Sequence, residues 1–185
     1  MICRAVSRHE AEDNNLCSRA HIIISISTPA YEQAKVATNS HTKGVLRLQF
    51  HDLDEAPNPE WQANYGQPVL FGKEHAKRIK SFVIRYRPEE IIVHCDAGIS
   101  RSPAVAAALS MYFNGEDYEF WCTGGMYNDR GYRPNQLVYK TLLAEMGVGT
   151  IADQLESEYN ADLGGTNDSS HYRPRSPRSG RSWLE

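Results

Sequence analysis

The stretch VHCDAGISRSPAVAAAL, Val93 to Leu109, joins an apolar run to an alanine-rich one through a short polar loop. Ile91-Ile92-Val93 before Cys95 is fully apolar, the composition of a strand buried on both faces of a sheet. SPAVAAALSMYF after Arg101 has the character of a helix packed closely on that sheet, with its first turn near Ser102 or Pro103. This order places Cys95 at the carboxyl end of a central strand, where open α/β sheets gather their ligands. The amides of residues 96–101 then lie at a helix N-terminus without intrahelical partners and can converge on an anion. Gly98 lets the loop turn through positive φ, and Arg101 supplies a planar fork of donors matched to phosphate oxygens. Helix dipole, loop amides and Arg101 all favour negative charge, so Cys95 is expected to serve as a thiolate nucleophile.

The rest of the chain supplies the frame for that loop. HIIISIS (His21–Ser27) reads as a buried strand, and Thr28-Pro29 supplies an N-cap and N1 proline for a helix near 30–37. VLRLQF (Val45–Phe50) alternates as a second strand, and the Pro-, Asn- and Gly-punctuated stretch 51–68 reads as a long loop. Ala76, Ile79, Phe82, Val83 and Tyr86 share one face of a helix near 72–87, ended by Pro88. PNQLVYKTLLAEM (134–146) predicts another helix, and TIADQLESEY (150–159) a last one. Alternating strands and helices predict an α/β fold with a central, mainly parallel sheet flanked by helices. Residues 1–159 form the expected catalytic domain. Residues 160–185, rich in Gly, Ser, Pro and Arg, bury too little apolar surface to fold and read as a disordered tail.

Composition narrows the function. A net charge of -3 argues against nucleic acid as partner. No run approaches the roughly 20 apolar residues of a membrane span, and the polar N-terminal stretch is unlike a secretory signal. Cys3, Cys17, Cys95 and Cys122 make no C-x-x-C or zinc spacing, which fits free thiols in a reducing cytoplasm and no metal. Of the four, only Cys95 is followed six residues later by an arginine.

HCDAGISRS (His94–Ser102) resembles the H-C-x-x-G-x-x-R-[ST] signature of the cysteine-dependent protein tyrosine phosphatases. Its Gly-x-Ser-Arg-Ser ending looks most like the dual-specificity branch. The resemblance implies a phosphocysteine on Cys95, phosphate binding by Arg101, and help for thiolate departure from Ser102. It gives His94 a loop-shaping role and places Asp96, Ala97, Gly98, Ile99, Ser100 and Arg101 around the substrate phosphate. It implies no metal and no cofactor.

The family's proton donor is an aspartate on a loop after a strand, and LRLQFHDLDEAP offers Asp52, Asp54 and Glu55 there. Asp52, two residues past Phe50, best resembles that acid, and Asp54 is the second choice; the bland reading of either is a turn or cap carboxylate. Asn135 either braces the phosphate loop or caps the helix that follows it. Asn128, Asp129, Arg130 and Arg133 lie on a loop the family often brings near the phosphate. Trp61 lines the cleft mouth or covers the long loop's own small core. Lys73 and His75 are expected to face solvent, and Cys122 to be an idle thiol rather than a disulfide partner of Cys95.

No lysine occupies the loop's variable positions and Asp96 adds negative charge, which disfavours a polyphosphorylated inositide. The expected substrate is therefore a phosphorylated protein, or a small phosphomonoester, acted on by a monomer. Three other readings compete: sulfur transfer of the rhodanese type, a non-catalytic phosphate-recognition module, and arsenate reduction.

Overall fold

The structure, a computed structural model, describes residues 1–13, 17–121 and 131–148. Four strands form one sheet in the order β1-β4-β2-β3, with every neighbouring pair parallel: β1 (Ile2–Ser7), β2 (His21–Ser27), β3 (Thr42–Gln49) and β4 (Glu90–Cys95). The α/β class and the central position of the IIVHC strand are as the sequence predicts. β4 is flanked on both sides, with Ser7 of β1 opposite Cys95 and Ser25 of β2 opposite His94.

Side chains alternating along each strand feed two cores. Ile22, Ile24, Ile26, Ile91 and Val93 face a large core roofed by α3 (Lys73–Tyr86), α4 (Arg101–Asn114) and α5 (Gln136–Met146). Ile23 and Ile92 face a smaller one with Val6 and Ala11. The two-sided burial explains why β2 and β4 are apolar without alternation, since neither has a solvent face. Ala104, Ala106, Ala107 and Ala108 are fully buried on α4, and their small side chains let that helix come close to the sheet.

The second face of the sheet departs from expectation. Residues 30–37 form no helix. Ala30 adopts a left-handed φ of 69°, and the chain then runs as irregular coil over the smaller core, where Val36 and Ala37 pack. Its backbone groups are bound elsewhere: Ala37 N–H donates to Ala11 O at 2.9 Å, Lys35 N–H to Glu12 at 3.0 Å, and Ala34 O accepts from Arg47 at 2.8 Å. Tertiary partners thus outweigh the local Thr-Pro start signal.

The N-terminal elements β1 and α1 (Arg8–Glu12) also escape the sequence reading. Ser7 and Glu10 form a reciprocal capping box at the start of α1, a pattern visible as S-R-H-E. The stretch 51–68 contains a helical piece, α2 (Pro59–Tyr65), capped by Asn58 and burying no residue. The expected helix at 150–159 and the tail lie outside the described residues.

His75 is half-buried rather than solvent-facing. Its ring stacks on Phe71, and its Nδ1 accepts the Gly72 N–H at the start of α3. Burial first, then Arg78 nearby, lowers its pKa.

Leu109, fully buried on α4, tests the main core. Leu109→Ala is expected to lower unfolding free energy by about 2–5 kcal/mol. Urea denaturation should show a reduced midpoint with an unchanged slope.

Candidate active site

The chain leaves β4 at Cys95 and enters α4 at Arg101, so the connecting loop is short and its ends are fixed by buried elements. Gly98 makes the turn possible. Its φ is +78°, and a Cβ there would stand 2.6 Å from Ser7 N and 2.8 Å from Val6 C, the backbone at the end of β1. The loop is therefore seated directly on the neighbouring strand. From the other side, residues of the segment before α5 hold it: Arg133 N–H donates to Ile99 O at 2.8 Å and Asn135 N–H to Ser100 O at 3.2 Å.

Cys95 is 1% exposed at the base of this loop. Its sulfur accepts the Gly98 N–H at 3.3 Å and lies 3.2 Å from Ser102 Oγ. The other described cysteines have different surroundings. Burial pushes the Cys3 thiol up to about 12, and Cys17, also raised by burial, is hydrogen-bonded to Glu90 at 3.0 Å.

Arg101 is 4% exposed, a buried cation whose donors can be accounted for. Nη1 donates to Phe50 O at 2.9 Å and Thr28 Oγ1 at 3.1 Å, and Nη2 to Asp96 Oδ2 at 2.6 Å. Nε has no hydrogen-bond partner among the described residues, with Asp52 Oδ2 3.8 Å away. A guanidinium has five N–H groups. Nε–H and one Nη2–H, two donors on one edge of the fork, remain for a ligand.

The two candidate acids separate clearly. Asp52 Oδ1 accepts from Ser100 Oγ at 2.7 Å and Asn135 Nδ2 at 3.1 Å, which holds the carboxylate against the loop. Asp54 instead accepts the N–H groups of Gln136 and Leu137, at 2.6 and 3.2 Å, at the start of α5. Asn135 Oδ1 caps α5 by accepting Val138 N–H at 2.9 Å, while its backbone N–H reaches the loop at Ser100 O.

Asp96 turns toward Arg101 and Thr28, whose hydroxyl donates to it at 2.7 Å. Burial opposes its charge, but hydrogen bonds from Thr28 and Arg101 outweigh that penalty and hold the carboxyl below its usual range. Ala97 and Ile99 are exposed on the loop, and Ser100 is half-buried. His94, behind the loop, bonds Ser25 Oγ through Nε2 at 2.7 Å, and burial lowers its pKa to about 4.

Trp61 packs within the 51–68 stretch, edge-on to His51 and tilted against Tyr65. Cys122, Asn128, Asp129 and Arg130 lie outside the described residues. Thr28 and the carbonyl of Phe50 are site members that the sequence reading missed. Thr28 sits one residue past a buried strand, on the same sheet edge as Cys95, and that position was the available signal.

Among the described residues no cluster of His, Cys, Asp or Glu is placed to hold a metal ion, and no helix is long and apolar enough to cross a membrane. No family model matches the chain, and no curated protein matches it. Among solved structures the chain is similar to PTPMT1, with TM-score 0.44, 15% identity, and coverage of 83% of this chain and 93% of that one. It is also similar to the Yvh1 phosphatase domain from Chaetomium thermophilum (TM-score 0.41, 16% identity, 82% and 98% covered). A third is the human tyrosine phosphatase-like serine/threonine/tyrosine-interacting protein, with TM-score 0.36, 17% identity, and 76% and 78% covered. Scores and identities this low leave the functional assignment to the residues of the site itself.

The neutral His94 gives a pH test. Its pKa is depressed from 6.5 to about 4 in the folded chain, so between those values only the unfolded chain takes up the proton. Its contribution is complete above pH 6.5 and is lost as pH falls. The stability gap between wild type and His94→Gln should narrow by about 2 kcal/mol from pH 7.5 to pH 5. Paired urea titrations at the two pH values measure it.

Proposed function

We propose that this site hydrolyses phosphomonoesters through a phosphocysteine on Cys95, with phosphotyrosine, phosphoserine or phosphothreonine in proteins as the substrate class. One observation carries the reading. A single short loop holds a buried cysteine sulfur beside an amide donor and a hydroxyl, and a buried arginine with two uncommitted donors beside a carboxylate.

In the proposed first step the Cys95 thiolate attacks phosphorus as the P–O bond to the leaving alcohol or phenol breaks. Arg101 Nε–H and Nη2–H, with loop amides, bind the equatorial oxygens as charge redistributes over them. Asp52 gives its proton to the leaving oxygen. In the second step Asp52, now ionised, takes a proton from water as that water attacks the phosphocysteine and the S–P bond breaks. Ser102, 3.2 Å from the sulfur, stabilises the departing thiolate by hydrogen bonding. Asp52 is favoured over Asp54 because it lies beside Arg101 and Ser100, whereas Asp54 is engaged by the first two N–H groups of α5. An aspartate held at the loop also favours phosphate chemistry over rhodanese-type sulfur transfer, which has no use for one.

Hydrolysis of para-nitrophenyl phosphate in EDTA tests the reading. Cys95→Ser is expected to abolish turnover, and Asp52→Ala to lower kcat by about 10²–10⁴-fold. Asp54→Ala is expected to cost about 1 kcal/mol of stability through its lost bonds to the first N–H groups of α5 and to leave the acid in place. Turnover that survives Cys95→Ser, or that requires an added divalent metal, contradicts the proposal. Vanadate binding without turnover in wild type would indicate a recognition module.

A further inference from the structure

We infer that Thr28, acting with Asp96, is the positioning residue that sets which edge of Arg101 faces the substrate. The inference rests on the phosphate-binding role proposed for Arg101.

The geometry is a closed ring of charge-assisted bonds. Thr28 Oγ1 donates to Asp96 Oδ2 at 2.7 Å and accepts from Arg101 Nη1 at 3.1 Å, while Arg101 Nη2 donates to the same Asp96 oxygen at 2.6 Å. The hydroxyl's single proton and an acceptor lone pair are thus both committed, and the same oxygen of Asp96 binds both partners. Together with Phe50 O on Nη1, the ring takes both Nη1 hydrogens and one of Nη2. What it leaves is the Nε/Nη2 edge, the bidentate face for an oxyanion.

The parts come from three elements: Thr28 from the end of β2, Asp96 from the loop, and Arg101 from the first turn of α4. Without the hydroxyl, Nη1 loses one acceptor and Asp96 loses one donor. The guanidinium plane can then swing about the remaining Phe50 and Asp96 bonds. A fork that is free to rotate binds the equatorial oxygens less well in the transition state, and misplacement by about 1 Å costs around a hundredfold. Thr28 touches no reacting atom in this account; it works through Arg101.

The test is a double-mutant cycle on the full chain with Thr28→Val, Thr28→Ser, Arg101→Lys and Thr28→Val/Arg101→Lys, each checked for an unchanged fold by circular dichroism. Para-nitrophenyl phosphate kinetics and orthovanadate binding are measured for all. Thr28→Val should lower kcat/KM by about 10- to 100-fold and weaken vanadate by a similar factor. Thr28→Ser, which keeps the hydroxyl, should stay within about threefold of wild type. In the Arg101→Lys background, Thr28→Val should cost no more than about threefold further, because the group it positions is gone.

The inference is overturned if Thr28→Val stays within about threefold of wild type in turnover and vanadate affinity. It is equally overturned if its loss persists in full with Arg101→Lys, or if Thr28→Ser is as impaired as valine. Failure of the phosphatase reading looks different. Wild type would then lack turnover, and vanadate binding alone would decide the role of Thr28; a wild type that binds no vanadate overturns both.

Discussion

Arg101 carries a positive charge into an almost fully buried position, and a buried charge persists only where partners replace the water it has lost. Those partners fix much of the architecture around it. The carbonyl of Phe50 ties it to the end of β3, Thr28 to the end of β2, and Asp96 to the loop that leaves β4. Three parallel strands therefore end at one guanidinium. Such a focus requires strands that run the same way, since only then do their carboxyl ends and following loops share one edge of the sheet.

The loop's shape follows from the same edge. β1 lies against β4 with Ser7 opposite Cys95, and Gly98 presses on the backbone of Val6 and Ser7 at a distance no side chain would permit. The segment before α5 supports the far side through Arg133 and Asn135, and Asn135 extends that support to Asp52. Held from both sides in this way, the loop keeps one shape, with the Gly98 N–H on the Cys95 sulfur.

Much of this was legible in the chain because the decisive signals are local. The apolar run into Cys95, the glycine three residues on, and the arginine before an alanine-rich helix specify strand, turn and helix N-terminus without distant information. Asp52 could be placed after a strand by the same reasoning, but its contacts with Ser100 and Asn135 span 48 and 83 residues and have no local signature. The failure at 30–37 is of the same kind. Thr28-Pro29 has the chemistry of a helix cap, yet the hydroxyl is claimed by Asp96 and Arg101, and the backbone beyond by α1 and Arg47. β1 and its capping box were readable, but ICRAVS, two apolar residues then one polar, does not alternate and is a weak strand pattern until its partner β4 is known.

In the proposed function, Cys95 becomes covalently attached to phosphorus. Rapid acid quenching of the Asp52→Ala variant during turnover, followed by peptide mapping by mass spectrometry, looks for that bond, because loss of the proposed acid–base group should slow hydrolysis of the proposed intermediate. One phosphoryl group is expected on the peptide containing Cys95 and none in Cys95→Ser. A catalytically competent protein whose Cys95 peptide never carries phosphorus, or carries it on another residue, would contradict it.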